Sequence, residues 1–439
     1  MSDFLSVNIP KFTSVFSAIG MFFIVLAVLF AIAGRANGKK ARPIALVIFL
    51  APALILLLAG LIIPAIRTFL FSFMNPDSNA WVGFDNYKWM TEDPNVKSIM
   101  VNTILWILVV PIFTAALGLL LAIMLDRIKH ESIPKSLLFM PMAISFVGAS
   151  IIFKFVYEYS EPGEAQIGLL LAGLIIPAIR TFLFSFMNPD SNAWVGFDNY
   201  KWMTEDPNVK SIMVNTILWI LVVPIFTAAL GLLLAIMLDR IKHESIPKSL
   251  LFMPMAISFV GASIIFKFVY EYSEPGEAQI GLLSSVVDFL GGTPKDWMLS
   301  KPLNTFLLMI IYVWTQMGFG MVILSAAIKA VPADIVEASA LDGASGWRLF
   351  RNITFPMIKG TFIVVLATGV VGALKVFDIV RTMTGGNFST NVLANEMYSQ
   401  VFVQFDQGKG SALAIVLFLL VTPILIYNIR SLRMERSHS

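Results

Sequence analysis

Residues 331–360 read VPADIVEASALDGASGWRLFRNITFPMIKG, an amphipathic run set between two long apolar stretches. The run predicts a helix, a turn and a second helix. Pro332 suits a first helical turn, where its missing N–H costs no hydrogen bond, and Asp342-Gly343 predicts the end of that helix. Pro356 is predicted to end the second helix, because a proline inside a helix removes a backbone hydrogen bond.

The turn region of this run carries little side-chain bulk. Ala338, Ala340, Gly343 and Ala344 are all small residues. Another protein's backbone can approach closely over such residues, which favours a docking surface. An ordinary water-exposed helical hairpin is the alternative interpretation.

The composition around the run is that of a membrane protein. Of 439 residues, 57% are hydrophobic and only 13% are charged, which indicates an all-α polytopic membrane protein. A span needs about 20 apolar residues, because the hydrocarbon core is roughly 30 Å thick. Nine stretches meet this length: 13–34, 44–66, 100–125, 136–157, 213–238, 249–270, 302–328, 361–380 and 411–429.

Basic residues cluster in short loops beside the predicted spans, and they indicate orientation by the positive-inside rule. They occur at Arg35 to Arg42, at Arg127 to Lys135, at Lys329 to Lys359 and at Arg430 to Arg436. These segments are predicted to be cytoplasmic, which places the N-terminus outside and the C-terminus in the cytoplasm. The net charge of +3 gives no argument for a nucleic-acid partner.

Residues 56–170 recur without a single change as residues 169–283. Ancient transporter repeats diverge until only weak similarity remains, so this duplication is recent or artificial. A recent tandem duplication, deliberate engineering and an error of sequence assembly would each produce it. The second copy begins inside a helix, and its apolar piece 167–179 is predicted to be interfacial or re-entrant, since it is too short to span comfortably.

The duplication therefore predicts two extra true spans, 213–238 and 249–270, that form a surplus helical hairpin. Either copy is able to pack into the core on this reasoning. The predicted organisation has four parts: an N-terminal extra transmembrane helix and cytoplasmic loop at 1–42, the first part of the core at 43–170, the second repeat copy at 169–283, and a C-terminal core at 284–439 that includes the loop 331–360.

The run 331–360 resembles the EAA loop of binding-protein-dependent ABC transporter permeases, whose pattern is roughly EAAxxDGAxxxxxFxxIxxP. The matching residues are Glu337, Ala338, Asp342, Gly343, Ala344, Phe350, Ile353 and Pro356. Ser339 stands where the pattern has its second alanine, and serine is nearly as small. In the family this loop fits a groove on the cytoplasmic ATPase and transmits its closure to the membrane helices.

Leu374 to Thr390, LKVFDIVRTMTGGNFST, looks like the corresponding region of sugar permeases of the maltose and α-glucoside type. The resemblance implies a type I ABC importer permease fold, here with an internally duplicated helical hairpin, in the bacterial cytoplasmic (inner) membrane. It implies four kinds of partner: a cytoplasmic ABC ATPase dimer, a second permease subunit, an extracytoplasmic sugar-binding protein and an oligosaccharide substrate.

Chemistry of its own is not expected in this chain. Gly408-Lys409-Gly410-Ser411 lacks the spacing of a phosphate-binding loop, so ATP is expected on partner subunits and no cofactor on this one. The chain has no cysteine and three histidines, two of which are copies of one loop residue. A metal site and an enzymatic activity are therefore not predicted.

Four polar residues are candidates for a substrate path. Trp314 and Gln316 lie in the middle of a predicted span, where they would meet sugar hydroxyls or bond to neighbouring helices. Lys375 and Asp378 lie near the outer end of a late helix, where they would line a polar path or form an interfacial ion pair.

Two rival functions remain on sequence grounds. An ion-coupled secondary transporter would show mid-membrane carboxylates and an ancient inverted repeat. An inert product of a duplicated gene would insert without transporting.

Overall fold

The computed structural model describes residues 66, 69–75, 80–125, 179–188, 193–239, 244–274, 281–344 and 346–436. The predicted spans 13–34, 44–66 (apart from Ile66) and 136–157 lie outside the described residues, as does the predicted interfacial piece apart from Ile179. The described residues form helices joined by turns, with isolated β-bridges such as Met74 to Trp81. The chain divides into two compact units, Ile55–Met142 and the remainder.

The smaller unit contains two helices of the first repeat copy, α1 at Asp85–Glu92 and α2 at Pro94–Leu125. Asp93 caps α2, because its Oδ1 accepts from the backbone N–H of Asn95 at 2.7 Å. The helix is apolar after its first turns, and the 18-residue window that qualifies it as a span has no buried residue.

The larger unit contains the same pair of helices from the second copy, α3 at Asp198–Glu205 and α4 at Pro207–Leu238. Asp206 caps α4 with the same bond to the N–H of Asn208, at 2.7 Å. Here the helix is packed: Leu218, Trp219 and Val223 are among the most buried residues of the unit.

A bent pair of helices follows α4. Helix α5 covers Ser245–Phe252, a 3₁₀ turn covers Met253–Ala256, and α6 covers Phe259–Tyr270, with a 105° bend in the pair. The predicted span 249–270 is therefore not one straight helix. Ile257 is extended and Ser258 caps α6 by accepting from the N–H of Gly261 at 3.0 Å, so the chain starts a new helix after Pro254.

Helix α7 covers Leu282–Phe289, and α8, at Leu303–Lys329, is the central helix of the unit. Small residues let its neighbours approach closely. A Cβ placed on Gly231 of α4 would lie 2.9 Å from the backbone of Gly320, and one placed on Gly318 would lie 2.4 Å from the Leu251 carbonyl oxygen. Both crossings of α8 therefore depend on glycine.

Two helices form the run 331–360, as predicted: α9 at Ala333–Leu341 and the start of α10, which extends over Gly346–Leu374. The prediction that Pro356 ends the second helix was wrong. A π-helical segment, Phe350–Thr354, precedes the proline. The N–H of Phe355 reaches back five residues to the Phe350 oxygen, and this wider turn relieves the clash that a proline ring makes in a regular helix.

Two short helices and one long helix follow α10. Helix α11 covers Asp378–Met383, and α12 covers Leu393–Tyr398 and continues as a π turn to Val403. The long helix α13 covers Gln407–Arg436. Four helices of the described chain are long and apolar enough to cross a membrane, and the bent pair adds a fifth.

The two ends of these helices are distinct. Lysine and carboxylate side chains join the ends of α4 and α8, beside the run 331–360. At the other end, Asn304 at the start of α8 donates to the Phe388 oxygen at 2.9 Å, and Lys409 at the start of α13 lies 5.2 Å from the Trp202 ring centroid. We use the name outer end as a label for this second end, which lies opposite the run 331–360.

Candidate functional site

The turn between α9 and α10 has the geometry that its residues predict. The N–H of Asp342 donates to the Ala338 oxygen at 3.1 Å, and the N–H of Ala344 donates to the Ser339 oxygen at 2.9 Å. Gly343 has a φ of +79°, a conformation that L side chains rarely adopt. In the sequence Asp342-Gly343 it is therefore the glycine that ends α9.

The surface around this turn is open. Glu337, Ala338, Asp342 and Gly343 are exposed, and a Cβ placed on Gly343 would meet no atom within 4 Å. Leu341 is 90% exposed. An exposed leucine beside small residues is a surface that a partner protein would cover.

Ser339, the departure from the small-residue pattern, turns inward on its own helix. Its hydroxyl donates to the Ile335 oxygen at 2.6 Å, one turn earlier. The hydroxyl is therefore occupied within α9, and Ser339 adds little bulk to the exposed turn.

The three apolar members of the motif lie on the first turns of α10. The Phe350 ring contacts the rings of Trp347 and Phe355, with centroids 5.4 and 5.8 Å apart. Phe350 and Ile353 are half-buried and Pro356 is exposed. Because α10 is continuous over 29 residues, it extends roughly 40 Å from the turn to the outer end.

An ionic cluster that the sequence did not predict lies beside this turn. Lys248 of α5 forms ion pairs with Asp239 and with Glu244, the latter at 2.9 Å, and it donates to the Ser325 hydroxyl at 2.7 Å. Lys329, the last residue of α8, forms an ion pair with Glu244. The cluster joins the ends of α4, α5 and α8.

Hydrogen bonds from Lys329 and then Lys248 lower the pKa of Glu244 from 4.5 to about 2. The carboxylate is therefore ionised at neutral pH. In the sequence, Lys329 indicated only the orientation of the chain. The signal for the cluster was the presence of Asp239 and Glu244 in an otherwise basic loop.

The four candidate path residues do not form one site. Trp314 is buried in α8 and contacts the Phe266 ring edge-on, with centroids 5.3 Å apart, while Gln316 is half-buried. Trp314 lies about 16 Å along α8 from its outer end. Lys375 follows α10 directly and Asp378 begins α11, so both lie at the outer end, half-buried.

Within the described ranges no group of His, Cys, Asp or Glu side chains is arranged to hold a metal ion.

Comparison with known proteins assigns this architecture to a family. Residues 206–432 match the family model described as "binding-protein-dependent transport system inner membrane component". This range begins at the cap of α4 and ends within α13, so it contains the second repeat copy's α4 and the run 331–360.

Among curated relatives, the osmoprotective compounds uptake permease protein GgtC of Synechocystis is 45% identical over 266 residues, which cover 61% of this chain and 95% of the relative. The alpha-glucoside transport system permease protein AglF of Rhizobium meliloti is 45% identical over 263 residues, covering 60% and 78%. The trehalose/maltose transport system permease protein MalF of Thermococcus litoralis is 29% identical over 293 residues, covering 62% and 96%.

Among solved structures, a chain of a bacterial ABC transporter involved in the import of the acidic polysaccharide alginate superposes with a TM-score of 0.52 at 19% identity. The match covers 59% of this chain and 90% of that chain. At this identity the likeness concerns the fold.

Proposed function

Because this chain belongs to the family of binding-protein-dependent transport system inner membrane components, we propose that it forms the membrane path of an ATP-driven importer for oligosaccharides. The family is one of transport permeases and not of enzymes. Its multi-pass apolar helices place the chain in the inner membrane. Membership excludes the ion-coupled secondary transporter that composition alone left open.

The names of the relatives support a sugar as the substrate. They include an alpha-glucoside permease, a trehalose/maltose permease and an arabinooligosaccharide permease. The two relatives at 45% identity take alpha-glucosides and osmoprotective compounds by name. An α-glucoside is accordingly the substrate class for this chain.

The partners follow from the same family. An external binding protein delivers the sugar, a second permease completes the path, and a cytoplasmic ATPase dimer binds ATP. A solved relative of similar fold is in complex with an alginate pentasaccharide-bound periplasmic protein.

The ATPase docks on the exposed turn between α9 and α10. The single observation that carries this assignment is an open, glycine-centred surface at Gly343 that continues directly into a 29-residue helix. A push on the turn is transmitted along α10, because the helix is continuous from Gly346 to Leu374. Glu337, Ala338, Asp342, Gly343, Ala344, Phe350, Ile353 and Pro356 act mechanically and contact no sugar.

The ionic cluster spreads this movement to the other helices. Lys329 ends the helix that leads into the turn, and its partner Glu244 is bonded to Lys248 on the bent pair. Movement of the turn therefore displaces α5 together with α8. The bent pair and α10 both pack against α8, and Tyr312 of α8 stacks on Phe259 of the bent pair, so this movement changes the shape of the space around α8.

In the proposed orientation the coupling turn and the C-terminus lie in the cytoplasm and the N-terminus lies outside. The basic residues around Lys329 to Lys359 and at the C-terminal end of α13 support this orientation. Trp314 and Gln316 at mid-helix, with Lys375 and Asp378 at the outer end, are candidates for polar contacts along the path.

The substitution Gly343→Val tests the coupling role. A branched residue at φ +79° is strained by roughly 1–2 kcal/mol and adds bulk to the docking surface. We expect ATP-driven sugar uptake to fall about tenfold or more, with the amount of chain in the membrane unchanged. Uptake and sugar-stimulated ATP hydrolysis are measured on the assembled transporter.

Gly291→Val is the matched control. Gly291 has a φ of +78° and, like Gly343, nothing within 4 Å of an added Cβ, but it lies after α7. The control carries the same strain away from the docking surface. Unchanged uptake and sugar-stimulated ATPase activity in the Gly343→Val variant would contradict the coupling role.

A further inference from the structure

A polar cavity of about 410 Å³ lies at the outer end of the larger unit, far from the coupling turn. It is half open, and it is lined by Trp202 of α3, the first turns of α4, the loop that follows α11, α12 with its π turn, and the start of α13. Its volume falls within the range of roughly 300–1,000 Å³ that is typical of small-molecule sites. Polar side chains dominate its wall: Trp202, Asp206, Asn208, Asn391, Glu396 and Gln400 are among them.

One wall of the cavity is held rigidly by amide side chains. The Asn391 Nδ2 donates to Glu396 Oε2 at 2.7 Å, and the Gln400 Nε2 donates to Glu396 Oε1 at 2.7 Å. Both oxygens of the carboxylate are therefore fixed in direction. A fixed carboxylate retains further lone pairs with which to accept hydrogen bonds.

The side chain of Gln400 in this wall has an oxygen without a hydrogen-bond donor in the part of the chain that the structure describes. The side chain lines the cavity and is only 3% exposed, yet its Oε1 has no hydrogen-bond partner among the described residues. A buried acceptor without a donor is costly, so a small rotation of this side chain that brings Oε1 to a bound hydroxyl group would be favourable. This buried oxygen points to a ligand that carries hydroxyl donors.

The opposite wall offers an aromatic surface and a second fixed carboxylate. The Trp202 indole is half-buried, and Lys409 lies 5.2 Å from its ring centroid while pairing with Asp406 at 3.0 Å. Asp206 accepts from the N–H groups of Asn208 and Val209 at 2.7 and 3.3 Å. Carboxylates and amides beside an indole suit the hydroxyls and the apolar C–H face of a sugar.

We propose that this cavity is an outer binding site for a neutral, hydroxyl-rich sugar unit. The charges on its wall disfavour an anionic ligand, since two carboxylates, Asp206 and Glu396, outnumber one ammonium group, that of Lys409. The amide and indole groups of the wall suit the hydroxyls of a neutral ligand. The inference rests on the proposed function, because the cavity would bind the sugar before it enters the membrane path. The site lies at a different level from Trp314 and Gln316 in the middle of α8.

The chain contains no cysteine, so a single introduced thiol reports on the cavity without background from this subunit. Ser211 lines the cavity, and Ser98, its equivalent in the first repeat copy, is exposed. We would measure the rate of maleimide labelling of the Ser211→Cys and Ser98→Cys variants in the assembled transporter in nanodiscs, without binding protein. The probe is trehalose, added in increasing concentration.

Trehalose is expected to slow labelling of the Ser211→Cys variant several-fold and to leave the Ser98→Cys variant unchanged. Adding Trp202→Ala is expected to raise the trehalose concentration for half-protection about tenfold, because the aromatic contact is lost. Adding Trp89→Ala, the identical change in the first copy, is expected to have no effect. The two tryptophans have the same sequence neighbours, so a difference between them reports the cavity alone.

Absence of protection at the Ser211→Cys variant would overturn the proposal, and so would equal protection of both thiols. Protection that Trp202→Ala leaves intact would overturn it too. Uptake of radiolabelled trehalose by the parent chain is measured separately. Uptake without protection of the thiol rejects the cavity as a sugar site and leaves the permease function intact. Failure to co-purify an ATPase or to import sugar rejects the permease function, while the labelling rates still show whether the cavity binds sugar.

Discussion

Glu244 belongs to the ionic cluster that joins the ends of α4, α5 and α8 beside the run 331–360. It accepts from Lys248 at 2.9 Å and forms an ion pair with Lys329, and these bonds lower its pKa to about 2. In the unfolded chain the carboxyl has its ordinary pKa of 4.5. The native state therefore holds the ionised form more tightly than the unfolded state does.

The stability that Glu244 contributes is fully present above its unfolded pKa of 4.5 and is lost as the pH falls toward about 2. We expect the melting temperature of the purified chain to fall through this window. The Glu244→Gln variant should melt lower at neutral pH and lack this part of the acid dependence. Thermal melts across the pH range provide the measurement.

Glu205→Gln is the control for this experiment. Glu205 pairs with Lys201 at 3.8 Å, but both side chains are 65% exposed, and exposed pairs contribute little. The control should keep the wild-type acid dependence. The same acid dependence in the Glu244→Gln variant as in the parent would show that the cluster does not couple to folding.

At the scale of helices, the two identical repeat copies show which properties of a helix its own sequence determines and which depend on its surroundings. Helices α2 and α4 have the same 32 residues and the same cap, and both span the equivalent range, as the apolar pattern predicts. Trp106 is 70% exposed and its copy Trp219 is 0% exposed. Local sequence therefore predicts the helix, while burial depends on which partners the helix meets.

Other features of the helices were predictable only in part. The end of α9 at Gly343 follows from a residue that adopts a positive φ easily. The passage of α10 through Pro356 was not predictable, because it depends on a π turn that single-residue preferences do not encode. The ionic cluster was missed for a similar reason, since its members lie on three helices.

The crossing of α4 and α8 yields a prediction at this scale. A Cβ on Gly231 would lie 2.9 Å from the backbone of Gly320, whereas a Cβ on its copy Gly118 would meet nothing within 4 Å. We expect Gly231→Ala to destabilise the chain by about 1–3 kcal/mol, because two backbones must separate. Gly118→Ala should be nearly neutral. Denaturant unfolding in detergent is the measurement, and equal effects of the two changes would contradict the role of this crossing.

At the scale of the whole molecule, composition and the motif of residues 331–360 predicted the membrane class and the family. They did not predict which repeat copy enters the core. In the larger unit the second copy supplies the cap of α4, the crossing at Gly231 and one wall of the outer cavity. We therefore propose that the second copy is the functional one and that the first is surplus.

Removing one repeat tests this proposal directly. Deleting residues 56–168 and deleting residues 169–281 give the same 326-residue chain, because the copies are identical. The remaining copy then continues natively both into the helix at Leu303 and from the segment before residue 56. We expect this chain to import sugar at least as well as the parent and to melt at the same temperature or higher, since the second copy already supplies the packing of the core. Uptake and thermal melts compare the two chains.

Loss of uptake or a lower melting temperature in the shorter chain would mean that the first copy contributes to the functional structure. The duplication would then have changed which helices form the permease core.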